Sequence, residues 1–180
     1  SIDVAILFGD PTKVESVWKW LPGGKWAFYA PSMTRQELIN YTSGKGYEVA
    51  TIISGGDGFW INARQAFTFD LPGGNTVTAA SRQSHLMSGW NLVAIGETKT
   101  PGEFNQALSQ TPSPAGKVPV NLMSLWAWSN SQSKWYFYSP ALESQGVSPA
   151  LALLLDYILL RQNRSNTMKV SDQHCPSRLA

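Results

Sequence analysis

Eight tryptophans in 180 residues dominate the chemistry this chain can offer, and several stand beside a group that can hydrogen-bond. Lys25 precedes Trp26, Asn62 follows Trp60 by two positions, and Asn91 follows Trp90. An exposed indole stacks on the C–H face of a sugar ring while neighbouring amides and hydroxyls take the sugar's hydroxyls. The candidate ligand contacts on this reading are Trp18, Trp20, Lys25, Trp26, Tyr29, Trp60, Asn62, Trp90, Asn91, Trp135 and Tyr138. The same rings have a second use. A sheet-forming chain with few aliphatic runs must build its interior from aromatics, so these tryptophans can equally fill a core or join one unit to the next. Strand alternation divides the set: Trp18 and Trp20 share one face, Val17 and Lys19 the other. A lysine that favours solvent predicts a buried Trp face. Tyr29 and Tyr138, out of phase with Trp26/Phe28 and Trp135/Phe137, are then the outward aromatics.

Catalytic constellations are poorly supplied. His85 and His174 are the only histidines, and neither has a metal-binding spacing or an evident nucleophile beside it. Glu97 with Glu103, or Asp57 with Asp70, could be posed as a glycosidase carboxylate pair, but solvated or turn-capping carboxylates explain them more simply. Gly55-Gly56-Asp57-Gly58 lacks both the several oxygens that calcium requires and the Lys-Ser/Thr of a phosphate loop, and reads as a tight turn between strands. Cys175 stands alone, so neither an intrachain disulfide nor a cysteine-held metal is available. The expectation is a protein that is not an enzyme and carries no metal or cofactor.

Charge points the same way. Lys and Arg number 14 against 12 Asp and Glu, and the basic residues are scattered singly, which argues against a nucleic-acid partner. The longest apolar run, Leu151 to Leu160, is interrupted by Asp156 and is too short to span a bilayer, so it is read as a packing helix. The N-terminal residues carry neither an initiator Met nor a leader pattern, as in an excised or processed piece.

The elements that must position the tryptophans are visible as a repeat. Val17-Trp18-Lys19-Trp20 and Lys25-Trp26-Ala27-Phe28-Tyr29-Ala30-Pro31 return as Leu125-Trp126-Ala127-Trp128 and Lys134-Trp135-Tyr136-Phe137-Tyr138-Ser139-Pro140, offset by 108 and then 109 residues. The difference falls in the turns Leu21-Pro22-Gly23-Gly24 and Ser129-Asn130-Ser131-Gln132-Ser133, where insertions are tolerated. Each copy predicts a β-hairpin. Helical stretches are predicted upstream, at Asp3 to Leu7 and Glu103 to Leu108, and downstream, at Glu37 to Tyr41 and Leu154 to Ile158. Strands are predicted over Lys45 to Ile53, Gly58 to Asn62, Ala66 to Leu71 and Gly89 to Gly96. The fold class is α+β: a β-rich repeat module of antiparallel hairpins with two short helices per unit. Residues 1–108 form a complete unit, 109–158 a partial second unit that packs on the first, and 159–180 a divergent or disordered tail.

Taken together, Trp-x-Trp, Trp-x-Phe-Tyr-x-Pro-Ser, Lys-Gly-Tyr, Gly-Phe-Trp-x-Asn and Gly-Trp-Asn-Leu-Val resemble a tandem module of large secreted or surface-attached proteins of environmental bacteria. The likeness covers residues 1 to 158. It implies an extracellular or cell-surface location beside adhesive domains, and no catalytic role. The function expected is a non-catalytic binding or adhesion module, glycan-binding through the Trp/Tyr hairpins, with a polysaccharide or a protein surface as partner. The alternative is a structural repeat that spaces domains or self-associates as a homo-oligomer through its partial second unit.

Overall fold

The structure, a computed structural model, describes residues 1–70, 73–82, 85–87, 89–109, 122–129, 133–147 and 167–170. It is α+β, and its chain forms two compact bodies: residues 1–74, 87–93 and 162–180 in one, 75–86 and 94–161 in the other.

The first body is built on the predicted hairpin. Strands β2 (Val14–Leu21) and β3 (Lys25–Tyr29) pair antiparallel with Trp18 opposite Phe28 and Trp20 opposite Trp26. The connection Pro22-Gly23-Gly24 takes positive φ at both glycines, 92° and 82°, a conformation side chains disfavour. Strand β6 (Phe59–Ala63) adds antiparallel to β2, and β4 (Glu48–Val49) adds parallel to β3, giving the order β4-β3-β2-β6. Between Val14 and Ser16 the β2–β6 register shifts. This bulge at Glu15 turns Val14 back to the face that carries Val17 and Ala63, where all three are buried.

Each face of this sheet has its own helix. On one side lie Val17, Ala27, Phe59 and Ile61, covered by α1 (Val4–Phe8), whose Asp3 cap accepts from Ile6 N at 3.0 Å. Val4 and Phe8, four apart, point inward, and Phe8 meets Phe59 and Phe69. On the other side α2 (Arg35–Lys45) lays Leu38 and Tyr41 on Phe28. Its start is fixed by a reciprocal capping box, Thr34 with Glu37, and its end by Gly46 at φ 72°. The short strands β1 (Ile2–Asp3) and β5 (Ile52–Ile53) pair with each other. Strand β7 (Phe67–Asp70) pairs antiparallel with β10 (Thr167–Val170).

The second body has α3 (Ala79–Arg82) on α4 (Pro101–Ser109), then the hairpin β8 (Leu125–Ser129) and β9 (Lys134–Tyr138), then α5 (Pro140–Ser144). Its pairs Leu125 with Tyr138, Trp126 with Phe137 and Ala127 with Tyr136 match Val17 with Tyr29, Trp18 with Phe28 and Lys19 with Ala27. Ala79, Ile95, Phe104, Leu108, Ala127, Tyr136 and Tyr138 are among its buried residues.

Several sequence expectations need correction. Lys45 to Ile53 is not one strand, because Lys45 ends a helix, Gly46 reverses the chain, and β4 and β5 join different sheets. Gly89 to Gly96 is not a strand either. Asn91 folds its amide onto Met87 and Gly89, and only Val93 reaches a bridge, with Asp57. Within the 159–180 tail, read as divergent or disordered, the described residues Thr167–Val170 form β10. The predicted helix at Leu154 to Ile158 and the run Leu151 to Leu160 lie outside the described residues. Among the described residues no helix is long and apolar enough to cross a membrane.

Lys19 corrects the reasoning about faces. It lies on the α1 side, yet its side chain is well covered: Nζ donates to Asp57 Oδ2 at 2.7 Å and to the Ile52 carbonyl at 3.1 Å. Val17, Ala27 and Phe59 around it are core. The more deeply buried face is therefore the lysine face, with Val17, Ala27 and Phe59 in the core, and the tryptophans take the more open one. Replacing Lys19 by methionine keeps the stem and strips the Asp57 carboxylate of its cation while the Ser54 N–H stays on it. A loss of about 1–3 kcal/mol in urea unfolding is expected. A change within ~0.5 kcal/mol, the range of ordinary surface substitutions, would show that the pair contributes nothing.

Candidate functional site

Alternation along three strands collects the tryptophans. Residues directly opposite one another share a sheet face, and the register places Trp18, Trp60 and Phe28 in one row, with Trp20 beside Trp26 one step on. Ser16 and Asn62 continue the face at its far end. Helix α2 covers only the Phe28 end, where Tyr47 and Tyr41 extend the cluster. Trp18, Trp20, Trp26 and Trp60 are each half-buried, so the face is neither sealed core nor bare platform.

The rings hold one another edge to face. Trp18 and Trp26 meet at 6.0 Å and 90°, Trp20 and Trp26 at 4.9 Å and 72°, and Trp18 and Tyr47 at 5.5 Å and 77°. This geometry sets a positive ring edge on a negative ring face and is worth about 0.5–1.5 kcal/mol per pair beyond area burial. Two indole N–H groups are also tied down: Trp18 Nε1 donates to Ser16 Oγ at 3.1 Å, and Trp20 Nε1 to the Trp90 carbonyl at 2.8 Å. The second bond brings the 87–93 segment to the open end of the cluster. There Asn91 accepts from Met87 N and donates to the Met87 and Gly89 carbonyls, and beside it Trp90 projects with 67% of its surface exposed. Gly58 seats the segment, since a Cβ there would come within 2.6 Å of Leu92 Cγ and 3.0 Å of backbone.

The result is a stepped aromatic wall in which no sheet-face residue is ionised. Ser16, Trp18, Trp20, Trp26, Phe28, Val49, Trp60 and Asn62 supply rings, one amide and one hydroxyl already used by Trp18. Such a surface can stack an apolar ring face and offer the amide of Asn62 to hydroxyls.

Of the eleven candidates read from the sequence, Trp18, Trp20, Trp26, Trp60 and Asn62 share this face and Trp90 adjoins it. Lys25 does not join them: it is opposite Leu21, on the α1 side. Tyr29 is opposite Val17 on that same side, its hydroxyl near Gly9, and burial and the Asp3 carboxylate raise its pKa. Asn91 spends its amide on the turn. Trp135 and Tyr138 belong to the second body. Phe28, Tyr41 and Tyr47 complete the wall and were not singled out; strand phase marked Phe28, and the Lys45-Gly46-Tyr47 motif marked Tyr47.

Tyr138 reverses the expectation of an outward ring. It is 3% exposed, its hydroxyl donates to Glu143 Oε2 at 2.6 Å, and the Asn105 side chain reaches the same phenol. The cause is α4, which packs where solvent was expected. Burial first, then the hydrogen bond and charge of Glu143, push its pKa well above the usual tyrosine value of 10.0. Because the folded pKa is the higher one, the unfolded chain loses its proton first as pH rises. Stability is therefore fully present below about pH 10 and falls above it. Tyr138→Phe is expected to cost about 1–3 kcal/mol at neutral pH by leaving Glu143 and Asn105 without the hydroxyl, and to flatten the alkaline decline. A decline of unchanged steepness in the variant would assign it to other groups.

Three of the four carboxylates weighed as catalytic pairs hold structural roles. Asp57 holds Lys19 and Ser54 N, Glu97 accepts from Ala79 N at 2.6 Å, and Glu103 caps α4 through Thr100. His85 is exposed, with Nδ1 3.1 Å from the Ser81 carbonyl. Among the described residues no group of three or more His, Cys, Asp or Glu could hold a metal ion. Comparison with known proteins gives no match to any family model, curated protein or solved structure.

Proposed function

We propose that the protein is a non-catalytic binding or adhesion module of the extracellular space or cell surface, and that its aromatic wall takes an uncharged polysaccharide. One observation carries this reading: Trp18, Trp20, Trp26 and Trp60 lie half-open on one uncharged sheet face with Asn62 among them and Trp90 at its end. Stacking without a charged partner suits a neutral sugar, whose C–H face is apolar and whose hydroxyls need only an amide. The resemblance to modules of secreted bacterial proteins supports the location.

Tryptophan emission during titration with neutral and uronate-bearing polysaccharides tests the reading. Neutral chains are expected to quench or blue-shift the emission, with the midpoint unmoved by about 0.5 M salt, which would screen an ionic contact. No change across the panel removes the glycan reading. A second reading, a repeat that spaces domains or self-associates, draws support from the two hairpins of matched register and from the exposed ring pair of the second, Trp126 at 43% and Phe137 at 46%. It predicts a concentration-dependent oligomer in sedimentation, and a monomer throughout would count against self-association.

A further inference from the structure

The two hairpins share a register but not their surroundings. In the first body the outer edge of β2 is taken by β6, with Ile61 opposite Val17, Trp60 opposite Trp18 and Phe59 opposite Lys19. In the second body β8 pairs with β9, and among the described residues no strand lies on its other edge. An open strand edge presents unpaired N–H and C=O groups and is a template for another chain. The ring pair of this hairpin is exposed. Phe28 is buried at 5%, whereas its counterpart Phe137 is 46% exposed, and Trp126, the counterpart of Trp18, is 43% exposed and meets it at 4.7 Å with the rings tilted by 59°.

We propose that the outer edge of β8 is an acceptor for an extended segment of another polypeptide, of the Gly-Phe-Trp-x-Asn type seen in Gly58 to Asn62. The first body states what such an edge takes. By its register, an incoming segment runs antiparallel to β8 with its Trp opposite Trp126, its Phe opposite Ala127 and its Ile opposite Leu125. Main-chain bonds supply affinity and alternate side chains the specificity, as in strand addition generally. Ala127 also makes the acceptor differ from β2. Where Lys19 binds Asp57, Ala127 has no charge to offer, so the residue before Gly58 contributes nothing here. This surface is independent of the aromatic wall in the first body, and either can fail alone.

The test uses the full chain and labelled synthetic peptides. A peptide copying residues 55–64 and a shorter one copying 58–63 are expected to bind with equal affinity, in the range of about 1–100 µM. A peptide carrying Trp60→Ala, and the full chain carrying Trp126→Ser, are each expected to weaken binding at least ~10-fold, the step that about 1.4 kcal/mol corresponds to. Amide hydrogen exchange on the unsubstituted chain reports the location: added peptide should slow exchange in Leu125–Ser129 and leave Val14–Leu21 unchanged. No binding at about 1 mM peptide, a millimolar limit that marks negligible affinity, overturns the proposal. So does protection that appears in Val14–Leu21 instead, which would mean that the peptide competes for β2. If Trp126→Ser fails to fold, the exchange pattern of the unsubstituted chain decides.

Discussion

Phe8→Ala is expected to destabilise the first body by about 3–5 kcal/mol, the largest effect of any substitution considered. The phenyl ring has no exposed surface. It stands 5.0 Å from Phe69 at 83° and 5.7 Å from Phe59, so one side chain joins α1, the sheet and β7. Truncation removes both ring contacts and leaves a cavity that cannot close easily. Gly9 follows directly, and a Cβ there would collide with the Ala5 carbonyl, which fixes the end of α1. The lost energy is a large share of the 5–15 kcal/mol typical of a domain. Urea unfolding followed by near-ultraviolet circular dichroism measures it. A loss below about 1.5 kcal/mol, the range of well-tolerated core changes, would mean that the core lies elsewhere.

Trp90→Ala is expected to leave stability within ~0.5 kcal/mol, as for other exposed positions, while weakening polysaccharide binding by about 30-fold, or 2 kcal/mol. The ring is two-thirds exposed, while the backbone beneath it is locked by Asn91 and by the Trp20 indole. A bulky ring on a rigid base loses little entropy when it packs on a ligand, which is what distinguishes energetic anchors from ordinary contacts. Trp26→Ala is a useful contrast. Its ring packs on both Trp18 and Trp20, so that variant should lose stability and binding together. Isothermal titration with the polysaccharide that perturbs emission, alongside urea unfolding, separates the two effects. Equal affinity in Trp90→Ala would remove Trp90 from the site.

Local pattern explains what could be read in advance. The Trp-x-Trp and Trp-x-Phe alternation on either side of a short Gly- or Ser-rich turn is a short-range signal, and both hairpins form where it occurs. Gly58 to Asn62 and Ala66 to Leu71 are short runs rich in β-branched or aromatic residues beside glycine turns, and β6 and β7 lie within a residue or two of them. Choosing which face is core needs the partner elements, and there local logic misled. A lysine normally marks solvent, but Lys19 has Asp57 thirty-eight positions away to neutralise it. Tyr138 alternates outward on paper, but α4 supplies a buried site with Asn105, and α5 supplies Glu143. Asn91 sits in an apolar run that reads as a strand, while its own amide bends the backbone into a turn. In the candidate site, the shared phase of Trp18 with Trp20, and of Trp60 with Asn62, was legible within single strands. Their assembly with Trp90 was not, because it depends on one indole N–H reaching a carbonyl seventy residues on.

The central claim is that one sheet face of the first body, and not the second hairpin, meets the ligand. The eight indole N–H resonances of the ¹⁵N-labelled chain report on it directly during titration with a neutral polysaccharide. Shifts confined to Trp18, Trp20, Trp26, Trp60 and Trp90, with Trp126 and Trp135 unmoved, are the result expected. Movement of Trp126 and Trp135 alone, or of none of the eight across neutral and charged polysaccharides, would contradict the claim.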